Sequence, residues 1–443
     1  MFEFGRELKR ILGAESDGGS LDAALLELLD PAMLAAQARQ TAIDAGRVSA
    51  RHPYGAWMKA SALWREHARR TGDAASLRHA ATAAESSARV AQTAAEAGRA
   101  AMEQGLASLA GVDLYGDLAL LEAAEARFRV AAKCEGDALY EARLDAGWAR
   151  LASRRALSAD SYDAALEAAA LFDRAVHRLD EIAGARFGGA ARMEAALCRI
   201  ERADLLSGFG LRLHDGRLIE KACGDLEALL SELNPDFEPL TWARAAELKG
   251  AGLAAVGELN GAPEKIAEGV STLALASEAF LREHSPMDWA RTRHALALTL
   301  QALGEACDSD AAFDSAETAF AEAATIASGA HLAIRATVAN NRAACMARMA
   351  ERRGDLGSLT RAEACFKAEL AAVDPSADPV SWAILQVNLA RVYEARAELL
   401  GGFVQRESAV YALEEALEVF CDLGLKSLAE TATAALERIS ATG

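Results

Sequence analysis

The sequence predicts an all-α protein built from stacked helical hairpins, and two observations lead to this prediction. About a quarter of the 443 residues are alanine, prolines number only 8, and aromatic residues make up 6% of the chain. Alanine, leucine, glutamate and arginine favour helices, whereas the β-branched and aromatic residues that favour strands are few. The second observation is a repeat with the length of a helical hairpin. Together they predict a right-handed α-solenoid of about eight stacked hairpins, with capping helices at both ends.

Tryptophan marks the repeat. Copies of Trp-Ala-Arg, or of its first two residues, start at positions 148, 242, 289 and 382. The second and third copies lie 47 residues apart, and the outer copies lie at about twice that spacing. Trp57 occupies an earlier position of the same series. Eight units with a period of roughly 46 residues therefore fill residues 51–423, and each unit holds two helices of about 18–20 residues.

Signals for helix ends and for a buried face recur within the units. Pro239, Pro286 and Pro379 each precede a tryptophan by three residues, where a helix commonly begins. A glycine further along predicts the end of each first helix, at Gly72, Gly208, Gly257, Gly304, Gly354 and Gly401. Small and aromatic residues at three- and four-residue spacing predict the buried face of the later second helices. They are Phe313, Ala316, Ala319, Phe320, Ala323, Leu359, Ala362, Cys365, Phe366, Leu370, Ala409, Leu413, Ala416, Leu417 and Phe420.

The last unit carries the clearest motif. The run Pro379-Val-Ser-Trp-Ala-Ile-Leu-Gln-Val-Asn-Leu-Ala-Arg-Val-Tyr is followed by Gly401 and by the helical pattern that contains Leu413-Glu-Glu-Ala-Leu. This segment resembles a tetratricopeptide-type repeat, and more closely the long P-x-x-W-A-x-x-x-x-N-L-G-x-x-Y variety of bacterial repeat arrays. The similarity covers about 370 residues, with a period near 46 instead of 34. The resemblance implies a superhelical scaffold that binds protein partners, and it leaves the partner's identity open.

Composition excludes several classes of function. A net charge of −18 without a basic stripe argues against nucleic acid as a partner. No apolar run reaches the roughly 20 residues of a membrane-spanning helix, and the charged N-terminus is unlike a secretory signal. The seven cysteines form no C-x-x-C pair and are odd in number, which predicts reduced thiols packed between helices in the cytoplasm.

Motifs for catalysis are also missing from the sequence. It contains no metal-binding H-E-x-x-H, no nucleotide-binding glycine-rich loop and no G-x-S-x-G elbow, and its eight histidines do not pair at helical spacing. We therefore expect no cofactor, no metal and no enzymatic activity. An enzyme whose site is assembled across several repeats is the remaining catalytic alternative.

Both ends of the chain lie outside the repeats. Residues 1–12 predict a short basic amphipathic helix, 13–20 a linker, 21–50 capping helices that include the start signal Asp30-Pro31, and 424–443 a C-terminal capping helix. The first helix could fold back onto the array, dock on a partner or bind a membrane surface. Its docking residues would be Phe2, Phe4, Leu8, Ile11 and Leu12.

The sequence favours a cytoplasmic protein–protein interaction scaffold or adaptor that binds a peptide or helix on the surface lined by the first helices. Docking would use mainly units five to eight, and polar residues of units six to eight are the candidate contacts, because arginine and asparagine bind peptide backbones and acidic side chains. They are Arg291, Arg293, His294, Arg335, Asn340, Asn341, Arg342, Gln386, Asn388 and Arg391. Recruitment of an adaptor to a membrane or larger assembly through residues 1–12 is the alternative. Homo-oligomerisation and a purely solvated role for these residues stay open.

Overall fold

The computed structural model describes residues 23–184, 189–327, 333–376, 379–423 and 425–441. In these ranges the regular structure consists of 19 α-helices and no strand, so the expected all-α fold is confirmed. The predicted N-terminal amphipathic helix and its linker lie outside the described residues.

The described helices pair into eight successive hairpins, flanked by helices at both ends. The first helices are α3 (Pro53–Thr71), α5 (Ala94–Tyr115), α7 (Ala138–Ser158), α9 (Gly189–Arg212), α11 (Pro239–Asn260), α13 (Pro286–Cys307), α15 (Ala333–Arg353) and α17 (Pro379–Leu400). The second helices are α4 (Ala74–Val90), α6 (Ala119–Ala131), α8 (Tyr162–Ala183), α10 (Gly216–Glu232), α12 (Pro263–Ala279), α14 (Asp310–Ala327), α16 (Leu356–Ala372) and α18 (Phe403–Asp422). The flanking helices are α1 (Ala23–Leu28), α2 (Pro31–Ala45) and α19 (Lys426–Ala441).

The chain divides into two compact units, Met1–Ala295 and Leu296–Gly443. In the first unit, α2 packs along α3, whereas the short helix α1 contacts the first helices α9 and α11. In the second unit, α19 packs against α18 and buries Ala432 and Ile439.

Local sequence explains where several helices begin. Asp30 accepts a hydrogen bond from the backbone N–H of Met33 at 2.7 Å, and Pro31 is the first residue of α2, as the sequence predicts. Thr93 and Glu96 form a capping box at the start of α5. Glu238 precedes Pro239 at the start of α11 without capping it through its side chain.

Half of the predicted glycine caps are wrong. Gly208, Gly257 and Gly304 lie inside α9, α11 and α13, and α11 ends instead at Gly261 with φ of 61°. A Cβ atom on Gly304 would lie 2.8 Å from Cδ2 of Phe313. That glycine therefore lets the second helix of its hairpin approach closely.

The second helices supply the apolar core, as predicted, with one class of exception. Phe313, Phe320, Phe366 and Phe420 are fully buried, together with the alanines between them. Cysteines follow this pattern only in part. Cys198, Cys223 and Cys345 are buried, but Cys307, Cys365 and Cys421 are exposed, so the prediction that all thiols pack between helices is wrong.

Candidate partner-binding surface

Charged side chains of the first helices contact one another across successive hairpins of the first unit. Arg65 of α3 binds Glu103 of α5, with Nε 2.9 Å from Oε1. Arg154 of α7 binds Asp113 of α5 through two hydrogen bonds of 3.0 and 2.9 Å. Its remaining terminal nitrogen lies 2.8 Å from Glu201 of α9. These contacts join four consecutive first helices.

The same pattern continues through the later hairpins and returns to the first. Arg192 of α9 forms an ion pair with Glu238 at the start of α11. Arg244 of α11 lies 3.3 Å from Asp288 of α13. Arg69 of α3 also binds Asp288, at 2.7 Å, across 219 residues of sequence. The polar contacts therefore form a closed circuit through six first helices.

We call this set of side chains the charged ring. It consists of Arg65, Arg69, Glu103, Asp113, Arg150, Arg154, Arg192, Glu194, Glu201, Glu238, Arg244 and Asp288.

Helical spacing places these residues on one face of each first helix. Arg65 and Arg69, like Arg150 and Arg154, are four residues apart and so lie one turn above each other. The arginine of each Trp-Ala-Arg motif also lies in or beside the charged ring. Arg150 and Arg244 belong to the charged ring, and Arg291 lies 3.8 Å from its member Asp288.

Opposite charges in the ring stabilise each other's ionised forms. Burial alone would raise the pKa of Glu201, but Arg150 and Arg154 beside it lower that pKa to about 2. Burial likewise opposes ionisation of Asp288, yet Arg244, Arg69 and Arg291 hold the pKa of that carboxyl well below its usual range. Glu201 and Asp288 are therefore ionised at neutral pH.

Glu247 of α11 is the exception beside the ring. Burial, reinforced by the negative charge of Asp288, raises the pKa of Glu247 to about 7. Its carboxylate accepts a hydrogen bond of 2.9 Å from the hydroxyl of Thr292. Burial also raises the pKa of the nearby Asp204. Negative charge is least compensated here, so a cationic group would be most strongly stabilised at this point.

Of the three sequence-predicted contacts in the first unit, one adjoins the ring. Arg291 lies beside Asp288 with 37% of its side chain exposed. The guanidinium of Arg293 instead lies over the ring of Trp289, 5.5 Å from its centre. Burial lowers the pKa of His294 to about 4, so the imidazole is neutral at physiological pH.

In the second unit the structure separates the predicted contacts into two groups. Asn388 of α17 donates a hydrogen bond of 2.7 Å to Asn340 of α15, which links two first helices. Burial, together with the neighbouring Arg348, lowers the pKa of Arg391. Asn341 is half-buried.

The other three predicted residues bind carboxylates of second helices. Arg335 pairs with Glu369 at 2.9 Å, Arg342 with Glu317 at 2.7 Å, and Gln386 with Glu415. Their polar groups therefore face second helices, whereas Asn340 and Asn388 link two first helices.

Sequence reasoning missed the charged ring itself. One signal for it was present, because Trp-Ala-Arg repeats its arginine as regularly as its tryptophan. The carboxylates carry no comparable motif. Their assignment needs the contact between α3 and α13, which no local pattern reveals.

Within the described ranges, no group of three or more His, Cys, Asp and Glu side chains is arranged to hold a metal ion. None of the described helices combines the length and the apolar composition that crossing a membrane requires.

The stacked hairpins define a helical-repeat protein, as the resemblance to tetratricopeptide-type repeats implied. No protein-family model matches the chain, and no curated protein matches its sequence. Among solved structures, it is similar to a Rap protein complexed with competence and sporulation factor, with 10% identity, a TM-score of 0.49 and coverage of 91% of this chain and 98% of that one. It is also similar to a circular tandem repeat protein, with 14% identity, a TM-score of 0.24 and coverage of 94% and 96%.

Proposed function

We propose that this protein is a non-catalytic interaction scaffold of the cytoplasm, and that it binds a peptide or helix of a partner protein on the first-helix surface. The charged ring is the observation that carries the proposal. Five of its six arginines are enclosed but still reach water, with exposed fractions of the side chain from 12% for Arg150 to 31% for Arg65. Side chains in this state combine fixed orientation with access for a ligand.

Stacking of hairpins alone does not explain the ring. Enclosed ion pairs are often no more stabilising than well-packed apolar residues of similar volume. The apolar contacts between hairpins come from the first and the second helices, without the charged side chains of the ring. A continuous row of guanidinium and carboxylate groups instead suits recognition of a polar chain, because arginine offers five fixed N–H donors.

The chemistry beside the ring favours a partner segment with a basic group. Burial raises the pKa of Glu247 and of Asp204, and neighbouring carboxylates raise both further. A lysine, an arginine or an N-terminal amine placed there would restore the ionised carboxylates. The partner would then bind more weakly when acid protonates Glu247.

In the second unit we extend the proposal to Asn340 and Asn388. Their mutual hydrogen bond uses one donor and one acceptor, and each amide keeps further hydrogen-bonding capacity. Paired amides of this kind suit the carbonyl and N–H groups of an extended peptide.

Affinity capture from the cytosol, followed by calorimetry with the identified partner, tests the proposal. The comparison uses the full-length chain and the variants Arg291→Ala and Asn388→Ala. Arg174→Ala, an exposed arginine on the second helix α8, is the matched control. We expect at least one of the two test variants to weaken binding about tenfold and the control to leave it unchanged. A partner that binds all four chains equally, or the failure to capture any reproducible partner, would contradict the proposal.

A further inference from the structure

The segment Leu26–Leu29 contacts residues of the first unit that lie more than 200 positions away in sequence. The backbone N–H groups of Leu240 and Thr241 donate hydrogen bonds of 2.9 and 3.1 Å to Glu27. The hydroxyl of Thr241 donates to the other carboxylate oxygen. Glu27 is only 7% exposed, so the first turn of α11 encloses its charge. An anion is favoured there because the first turn of a helix presents unpaired N–H groups.

Side chains from two other elements hold the backbone of the same segment. Arg70 of α3 donates to the carbonyl oxygens of Leu29 and Leu26, at 2.6 and 2.5 Å. The Arg70 side chain is fully buried, and Glu66 holds its Nε at 2.6 Å. Nε2 of His284, in the loop before α13, lies 2.6 Å from the carbonyl oxygen of Glu27.

Apolar contacts add a second element of recognition. Leu29 is 2% exposed and packs against Leu63 and Trp64 of α3, and Leu26 adjoins the same cluster. Leu28, by contrast, is 40% exposed. The surrounding groups therefore contact an apolar side chain at position 26, a carboxylate at 27 and a second apolar side chain at 29, whereas the side chain at position 28 points to solvent.

We propose that these groups form a recognition site for a short acidic helical peptide, and that residues 26–29 of the chain itself occupy that site. The receptor groups belong to longer helices and to a loop between them, so they are fixed before the segment arrives. The occupant is a helix of six residues, too short to be stable without the site. Its contacts use a carboxylate and backbone carbonyls, which any acidic peptide can supply.

Tethering explains why the site is filled. A segment attached to its site through a short connection has an effective concentration in the millimolar range, so an external peptide of equal intrinsic affinity competes poorly. A substitution that weakens the binding of residues 26–29 should therefore open the site to a peptide added in solution. This inference does not depend on the partner proposed for the charged ring, because the probe is a peptide of known sequence.

Binding of a fluorescein-labelled peptide with the sequence of residues 23–34 tests the site. Fluorescence anisotropy is measured with the full-length chain and with its variants Glu27→Ala, Glu27→Gln and Leu28→Ala. We expect Glu27→Ala and Glu27→Gln to bind the peptide at least about tenfold more tightly than the unaltered chain, and the exposed-site control Leu28→Ala to match the unaltered chain. A peptide with alanine in place of its glutamate should not bind any of them.

Hydrogen exchange provides the second readout, and it does not require the external peptide. The amides of Leu240 and Thr241 should exchange faster in both Glu27 variants and should slow again when the labelled peptide is added. The glutamine variant preserves the size of the side chain, so it keeps the test valid if the alanine variant does not fold. Equal peptide binding by the unaltered chain and the Glu27 variants, no binding by any of them, or unchanged exchange at these two amides would overturn the proposal.

Discussion

Replacing Glu247 by glutamine removes the one carboxylate beside the charged ring whose pKa moves close to neutrality. Glutamine keeps the length of the side chain and can still accept the hydrogen bond from Thr292. The substitution therefore changes charge with little change in packing. Glu167→Gln, on the exposed face of α8, is the matched control.

The pKa of Glu247 determines the sign and the size of the effect. Burial and Asp288 raise that pKa from an ordinary 4.5 to about 7. The folded protein consequently binds a proton more tightly than the unfolded chain, and ionised Glu247 disfavours folding. This loss of folding free energy is small below about pH 4.5 and grows until about pH 7, where it reaches about 3 kcal/mol. The glutamine variant should thus be more stable than the unaltered chain at pH 8, and the difference should fall to about 1 kcal/mol at pH 5.

Urea unfolding followed by tryptophan fluorescence measures this effect in the right part of the chain. Five of the six tryptophans, at positions 57, 64, 148, 242 and 289, lie in the first unit. A stabilisation by Glu247→Gln that is the same at pH 5 and pH 8, or a destabilisation at pH 8, would refute the reasoning about this carboxylate.

Three further predictions concern packing, charge and the N-terminus. Gly208→Ala should stabilise the protein by about 0.5–1 kcal/mol, because it lies inside α9 and a Cβ atom there meets nothing within 4 Å. Gly105→Ala should destabilise it by about 1–3 kcal/mol, because the new Cβ would lie 2.5 Å from the fully buried ring of Phe128. Thermal unfolding checks both glycine variants, because the midpoint temperature should rise for the first and fall for the second. Asp288→Asn should cost about 3 kcal/mol or more in the same assay, because it leaves Arg69 and Arg244 without the charge that balances them. Deletion of residues 1–12 should abolish any binding to anionic vesicles in a sedimentation assay, and vesicle binding that survives the deletion would exclude this segment as the anchor.

Sequence periodicity was sufficient to predict the hairpins. The tryptophan spacing marks the first helices, and Pro239, Pro286 and Pro379 stand at the first position of α11, α13 and α17. Glycine was a poorer guide, because a helical glycine that admits a neighbouring side chain looks the same in sequence as a glycine that ends a helix. Gly304 illustrates this ambiguity, since it faces Phe313 inside the hairpin.

The candidate site was predicted less completely than the fold. Arg291 contacts Asp288 of the charged ring and Asn388 contacts Asn340, whereas Arg335 and Arg342 bind second-helix carboxylates. Helical periodicity in the sequence cannot tell whether a polar side chain of a first helix faces another first helix or a second helix when both of those faces are polar. The contact between Arg69 and Asp288 depends on how far successive hairpins rotate, and that rotation is a property of packing.

Hydrogen exchange of the full-length chain with and without its captured partner tests the central claim most directly. We predict that the partner slows hydrogen exchange in first helices, either in α3, α5, α7, α9, α11 and α13 beside the charged ring or in α15 and α17 beside Asn340 and Asn388. The exchange rates of amides in the second helices should remain unchanged. Protection confined to second helices, with none in the first helices, would contradict the claim that this protein binds its partner on the first-helix surface.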